Sequence, residues 1–577
     1  MTGAILARHA AGGAGTTGGQ AEQATLAALL RCCVREVAGP RGQVWPAGRY
    51  LTLRLAGELL RVPVSGGLAL RLDGPAERLE RGRWLALTAD RLVRLAEAEL
   101  AGSGAGRNDE FAGQVARSRS AIAQLLGARA AARPPDDPWL ASEQALVHGH
   151  PFHPAPKARG GDGWLRYAPE AHAAFPLRLL AVRDDVRAAG GDTGAIDRLG
   201  TAPPGHTLLP AHPWQLELLA AELAAPLADG RLADLGEVPG PAVPTSSVRT
   251  VYAPGAGACL KFSLDVRITN CVRKNSWYEL AGAVELTARL APLFAALADR
   301  FPGTRWLPEP GYRSAALGTR LVEGLGVIVR AAPWAVTGPG VTPVLAGALA
   351  ALDGGRWSGA VPDAVVAAVR RDPVRWWTAY VDRVAPPVLD AYFRHGVVLE
   401  CHLQNVLVGL DAGGLPVEAV FRDLEGAKLV AGRHEVSALP GPVAAALTYD
   451  AARGWHRVVY CLLVNHLAEI AATVARLAGP AGADRPGRSG PSSAGRAGAG
   501  HPATDGLLAE LWARARDRLD RHAADHGRPP ALADLLAGVP LPAKANLATR
   551  WARAADRDAG YVPVANPLSA AHPGAHP

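Results

Sequence analysis

Much of the apolar fraction of this chain, 49% of 577 residues, is alanine. Alanine is the best helix former, so this composition predicts a core built largely from helices. Charged side chains make up 20%, a globular balance, and the length suits roughly two to four domains. The net charge of +8 is modest, and the arginines interleave with acids, as in RLDGPAERLERGRW. That pattern marks solvated faces and turns rather than a nucleic-acid stripe, so no nucleic-acid partner is expected. Six cysteines form no CxxC pair and no regular spacing, which predicts reduced thiols without a disulfide framework or zinc site. The start, MTGAILARHAAGGAGTTGG, has no apolar h-region, and no stretch of about 18 uncharged apolar residues stands out. A cytoplasmic protein with no membrane partner is the expectation.

Along the chain, residues 1–20 read as a loose Gly/Ala/Thr-rich arm, followed by a helix through AEQATLAALLRCCVREVA. Alternation at 50–55, 58–64 and 68–72 predicts short strands. FAGQVARSRSAIAQLLGARAA reads as a second helix. TSSVRTVYAPGAGACLKFSLDV predicts a hairpin around its Pro-Gly-Ala-Gly turn. Residues 277–298 predict a helix, and helices dominate from 361 on, interrupted by a strand, turn and strand in VVLECHLQNVLVGLDAGGLPVEAVFRDLEG. The low-complexity stretch 480–506 predicts a disordered insert between helices.

Of 61 basic side chains, only Lys157, Lys261, Lys274, Lys428 and Lys544 are lysine. In a chain so biased towards arginine, a surviving lysine marks a place for a compact ammonium rather than a planar fork. Asn is equally scarce, and Asn270, Asn275 and Asn405 fall in the same segments. VHGHPFHPAPKARGG gathers His148, His150, His153, Lys157 and Arg159 on a proline-stiffened loop suited to a polyanion. No cysteine or carboxylate cluster flanks those histidines, which disfavours zinc. LPAHPWQ reads as a helix entry at His212. In PTSSVRTV and KFSLDVRITNCVRKN, alternation puts Ser247 and Arg249 on one face with Lys261 across the hairpin. Thr269 and Arg273 stand one helical turn apart. Together they form an anion clamp for a triphosphate or a citrate-like acid. His402, Gln404 and Asn405 stand between two apolar runs, and Asp423 and Glu425 end the second. An Asn and an Asp in this order suit a magnesium-holding pair of kinase-like phosphoryl-transfer sites. There is no Walker loop and no GxSxG elbow.

HGHPFHPAPKARGG, PTSSVRT, KFSLDVRITNCVRKN, HLQN and RDLEG, with LPAKANLATR near the C-terminus, occur in this order from about 140 to 555. As an ordered set they resemble the IucA/IucC family, the NRPS-independent siderophore (NIS) synthetases. The C-terminal part also resembles ferric-siderophore reductase proteins, whose cluster-holding cysteines this chain does not supply. The resemblance implies an α+β fold like a cupped hand, with a thumb at 21–165, β-rich fingers at 166–340 and a helical, kinase-like palm at 341–577. It implies an enzyme that uses ATP and Mg2+ to adenylate a carboxylate, typically citrate or a citrate derivative. An amine, hydroxylamine or alcohol then attacks, and AMP and pyrophosphate are released. His153, Lys157, Ser247, Arg249, Lys261, Gln404, Asn405 and Asp423 are implied for ATP. Thr269, Arg273 and His402 are implied for the carboxylate, and Asp423 and Asn405 for Mg2+. Lys261, Arg273 and His402 are the implied catalytic groups, with His402 a candidate base for the incoming amine. A homodimer is usual in the family. A kinase-like phosphotransferase and a non-catalytic siderophore-binding protein are the alternative readings.

Overall fold

The computed structural model describes residues 3–102, 104, 106–161, 163–268, 271–352, 359–437, 439, 441–479, 502–554 and 559–569. At 3–16, 267–268, 271–273, 425 and 502–503 it describes the backbone alone. Three large hydrophobic clusters organise it. The first joins the helix Gly3–Cys32, a six-stranded sheet over residues 44–86 and the helices Ala89–Gly102 and Phe111–Ala131. The closing segment returns to this cluster: Trp551 meets Phe111 edge to face, and Asn108 Nδ2 donates to the Trp551 carbonyl at 2.9 Å.

The second cluster fills the space between a three-stranded sheet (178–183, 206–211, 232–237) and a six-stranded one. The expected hairpin is central in the latter. Strands Thr250–Ala253 and Ala258–Phe262 pair antiparallel, and Val327–Ala331 lies beside the second. The third and largest cluster packs the helices Trp277–Arg300, Pro373–Phe393, Ala451–Val459, Ala468–Ala478 and Pro502–Asp525 around a four-stranded sheet. In that sheet the strands Val406–Leu410 and Pro416–Phe421 are central. Glu279 Oε2 accepts from the Ser276 backbone N–H at 2.7 Å, the glutamate half of a capping box, at the start of the helix Trp277–Arg300. Helices gathered on mostly antiparallel sheets give the α+β class. Among the described residues two helices, Trp277–Arg300 and the stretch Ala451–Ala478, are long and apolar enough to cross a membrane. The apolar window of the latter is 94% buried, as befits a core helix.

Four local expectations change. The backbone is helical from Gly3 rather than loose to residue 20; Ala21, Leu26, Leu29 and Leu30 are buried and anchor the helix. Ser246–Arg249 form a tight turn rather than a strand arm. Thr245 Oγ1 donates to the Thr250 carbonyl at 2.9 Å and Ser247 Oγ to Thr250 Oγ1 at 2.8 Å. Such hydroxyl bonds offer the backbone an alternative to the ladder, and they hold Val248 at φ 67°. The segment after Lys261 is a second hairpin, Leu264–Ile268 with Cys271–Arg273, not a helical turn; its β-branched residues favour strands. Thr269 and the side chain of Arg273 lie outside the described residues, as do 480–501 of the expected insert, and residues 502–506 open a helix.

Candidate functional site

A cavity of about 3140 Å³ brings together His153, Lys157, Ser247, Arg249, Lys261, His402, Gln404, Asn405 and Asp423. Four of the five lysines line it; Lys274 instead pairs with Glu323 at 2.7 Å. The cavity exceeds by several-fold the roughly 300–1,000 Å³ of a single small-ligand pocket. It therefore has room for more than one substrate at once.

The densest electrostatics lie on the wall made by the central hairpin. Lys261, opposite Thr250 in the ladder and 2% exposed, sends Nζ to Asp423 Oδ1 at 2.8 Å. Arg330, on the neighbouring strand, donates to the same oxygen at 2.7 Å and through Nε to Glu309 Oε1 at 2.8 Å. Burial raises the Asp423 carboxyl, but Lys261 and Arg330 outweigh it and hold the group well below the usual carboxylate range. Asp423 sits at φ 65°, a left-handed position that Asp tolerates, and its side chain stays 38% exposed towards the cavity. Arg249 donates to Asn275 Oδ1 at 2.5 Å, and the Asn275 backbone N–H donates to Ser263 Oγ at 2.9 Å. Arg330 and Glu309 were not singled out in the sequence. A lone arginine in the apolar strand VIVRA was the available signal.

A second network clamps the hairpin to the HLQN loop. Glu143, fully buried, accepts from both terminal nitrogens of Arg422 and from the Ser246 amide at 3.1 Å. Arg422 also donates to Ser246 Oγ at 3.2 Å and to the Gln404 carbonyl at 2.7 Å. Gln404 Nε2 closes the circuit on the Ser246 carbonyl at 3.0 Å. Register places Val406 opposite Phe421, so Asn405 and Arg422 face each other at the sheet's end, with Asp423 next.

On the proline-stiffened loop, Lys157 and Arg159 share Glu170 Oε1, Arg159 at 2.8 Å. Burial opposes the charge on Glu170, yet the two cations hold its carboxyl at about 2. Gly149 is required here: its φ is +71°, and a Cβ would fall 2.8 Å from Pro156 Cβ. His150 Nδ1 accepts from Phe152 N at 3.0 Å, and its Nε2 meets Asn465 Nδ2 at 2.8 Å.

His402 Nδ1 accepts the Gln404 amide at 3.3 Å. A neutral ring so held carries its proton on Nε2. Burial is the main cause of a pKa lowered to about 4, so the ring is neutral at ordinary pH. This geometry suits a hydrogen-bond donor to an acid oxygen rather than the base considered for His402.

Asp423 and Asn405 offer oxygen donors of the kind Mg2+ takes, and the half-exposed Asp423 carboxylate is a fitting anchor; the Glu425 side chain lies outside the described residues. An iron–sulfur cluster does not fit the C-terminal part. Cys401 and Cys461 are both buried, and burial pushes the Cys461 thiol up to about 12, far from the thiolate a cluster needs.

The IucA / IucC family profile matches residues 138–351, and that of the ferric iron reductase FhuF-like transporter matches 374–482. The rhizobactin siderophore biosynthesis protein RhbC of Rhizobium meliloti is 30% identical over 479 residues, covering 74% of this chain and 75% of that protein. The L-2,3-diaminopropanoate–citrate ligase of Staphylococcus aureus is 30% identical over 379 residues, covering 59% and 63%. The ATP-bound structure of aerobactin synthetase IucA from Klebsiella pneumoniae superimposes with a TM-score of 0.77 at 25% identity, covering 95% of this chain and all of that one. With the fold, the ordered segments and these relatives in agreement, the chain belongs to the IucA/IucC family.

Proposed function

We propose that this protein is an ATP-dependent siderophore synthetase that adenylates citrate or a citrate derivative and condenses it with an amine, hydroxylamine or alcohol. The observation that carries the reading is one cationic cavity lined by residues from four distant segments, with Lys261, Arg330 and Asp423 together on one wall. A carboxylate is a poor electrophile until its oxygen becomes part of a good leaving group. The acid oxygen attacks the α-phosphorus of ATP, and the bond to pyrophosphate breaks. The nucleophile then bonds to the acyl carbon as the C–O bond to AMP breaks, and its surplus proton passes to solvent.

In this reading Ser247, Arg249 and Lys261 face the phosphates, with His153, Lys157, Gln404 and Asn405 in the same nucleotide pocket. His402, through Nε2–H, grips the acid together with Thr269 and Arg273. Asp423 and Asn405 hold Mg2+, which offsets phosphate charge when bound. Lys261 and Arg249 neutralise developing negative charge from fixed positions, which is where preorganised electrostatics acts. The division into thumb (21–165), fingers (166–340) and palm (341–577), and a cytoplasmic location, belong to the same proposal.

Incubation with ATP, Mg2+, citrate and hydroxylamine tests it. AMP, pyrophosphate and a hydroxamate are expected. ADP in place of AMP would point to a phosphotransferase, and unchanged ATP with every acid and amine tried to a binding protein.

A further inference from the structure

Away from the cavity, the helices Pro373–Phe393 and Pro502–Asp525 bring an aspartate and two histidines together near their C-terminal ends. Asp390 and His522 are buried, His522 being 5% exposed, and His526 is nearly so. One oxygen or nitrogen atom from each of the three lies within 4.8 Å of those of the other two. The histidines stand four residues apart, one helical turn, and their rings stack with centroids 4.2 Å apart. None of the three lines the cavity, and the proposed adenylation makes no use of them.

Their hydrogen bonds leave this cluster short of a positive charge. His526 Nδ1 faces the His522 carbonyl at 2.9 Å, and a carbonyl only accepts, so Nδ1 carries the ring's proton. His526 Nε2 then faces a second acceptor, Asp390 Oδ1, at 2.7 Å. A neutral imidazole has a single N–H, so a proton or a metal ion must stand between that nitrogen and that oxygen. An Nδ1–H held by a backbone carbonyl is also how a metal-ligating histidine is oriented. His522 adds a nitrogen with no other use: its Nε2 is buried and makes no hydrogen bond among the described residues. Buried polar atoms rarely stay unpaired. A proton shared by His526 and Asp390 leaves that nitrogen as it is, whereas a metal ion gives it a partner. Two further charged or titratable groups face Asp390. Arg300 Nε lies 3.3 Å from Oδ1 on the solvent side, and His395 Nε2 lies 3.5 Å from Oδ2. Arg300 neutralises part of the carboxylate, so affinity has to come from the imidazoles, which favours Zn2+ over Mg2+.

We propose that Asp390, His522 and His526 form a structural Zn2+ site that ties the ends of the two helices together, with the fourth position open to His395. Zn2+ takes such nitrogen and oxygen ligands at about 2.0–2.2 Å, which sets them about 3.3 Å apart, so binding draws the rings and the carboxylate closer together. The proton between His526 and Asp390 passes to solvent as the ion enters. An ion held by the folded chain alone stabilises it. The site stands apart from the adenylation reading and does not depend on it. Cysteine spacing is silent on it, because its donors are histidines and an aspartate on two separate helices.

The test strips the full-length protein of metal and titrates it with Zn2+ against a chromophoric chelator. About one equivalent is expected to bind in competition with the chelator. His522→Gln and Asp390→Asn should each weaken it by at least about 100-fold, since loss even of a group behind a ligand costs roughly 10–100-fold. His526→Gln serves in place of either variant if circular dichroism shows that it has not folded. Arg300→Gln keeps all three ligands and removes a competing charge, so it should bind Zn2+ at least as tightly as the unaltered protein. Co2+ in place of Zn2+ should show the visible bands of a nitrogen and oxygen site with no thiolate charge-transfer band, and His522→Gln should abolish them. Zn2+ should also raise the unfolding midpoint of the unaltered protein and leave that of His522→Gln where it is. Failure of the unaltered protein to bind Zn2+ overturns the proposal and leaves an imidazolium–carboxylate pair. Undiminished binding in His522→Gln overturns it too, by placing the ion on other side chains.

Discussion

Lys261 shows why a lysine persists in an arginine-rich chain. Its ammonium fits a 2% exposed slot between Asp423 and Glu309, with Arg330 already occupying the flank. A guanidinium there would have to displace Arg330 from the same oxygen. Lys261→Ala is therefore expected to lower acid-dependent pyrophosphate exchange by about 10²–10³-fold, the range for one preorganised donor. Denaturant unfolding should report a modest loss, on the order of 1–2 kcal/mol, because Arg330 still pairs both Asp423 and Glu309 and the Asp423 side chain is 38% exposed. His402 makes a separate prediction. With Nδ1 taken and a pKa near 4, it should contribute no limb at pH 6–7 to the profile of kcat/KM for the acid. His402→Ala should raise the KM for citrate by about 10-fold, and His402→Asn, which keeps a donor, by less. A limb near pH 6.5 that vanishes in His402→Asn would count against the donor role.

At the scale of elements, the site depends on how a turn, a hairpin and a loop are locked together. The hairpin itself was legible, since its two β-rich arms flank a Pro-Gly-Ala-Gly turn and the strands form there. The geometry of Ser246–Arg249 was not. Alternation makes these residues a strand arm, whereas the hydroxyls of Thr245 and Ser247 fold them into a turn. Glu143 then ties that turn to the HLQN loop through Arg422. No local pattern flags Glu143 as a clamp, because the two groups it ties together, Ser246 and Arg422, both stand more than 100 residues away. Glu143→Ala leaves Arg422 buried without its counter-charge and should cost about 3–5 kcal/mol in denaturant unfolding. The KM for ATP should rise with it, as Ser246–Arg249 loosen. An unchanged KM(ATP) would separate this clamp from the nucleotide site.

For the whole molecule, buried histidines set an acid limit. His212 and His466 are 1% and 0% exposed, and burial lowers their pKa values from 6.5 to about 3 and about 4. The unfolded chain binds these protons first. Stability is therefore complete above about pH 6.5 and falls as the pH drops towards the folded values, by on the order of 2 kcal/mol for each such histidine at pH 5. Glu170, held at about 2 instead of 4.5, adds a loss of the same sign from pH 4.5 downwards. Chemical denaturation at pH 7.5 and pH 5 checks the first window; equal stabilities would show that these rings are not buried in the neutral form.

Local information was enough for most of the helices, for the strands that pair through short turns, and to pick out segments that the fold brings to one cavity, because helix periodicity, turn chemistry and the survival of lysine and asparagine act over a few residues. It could not reveal that Arg330 and Lys261 converge on one oxygen of Asp423, that Lys157 pairs with Glu170, or that Glu143 ties Arg422 to the Ser246 turn. Those facts arise only when residues far apart in the chain are brought within ångströms. Charge placement in a low-dielectric cavity depends on that approach and not on sequence order.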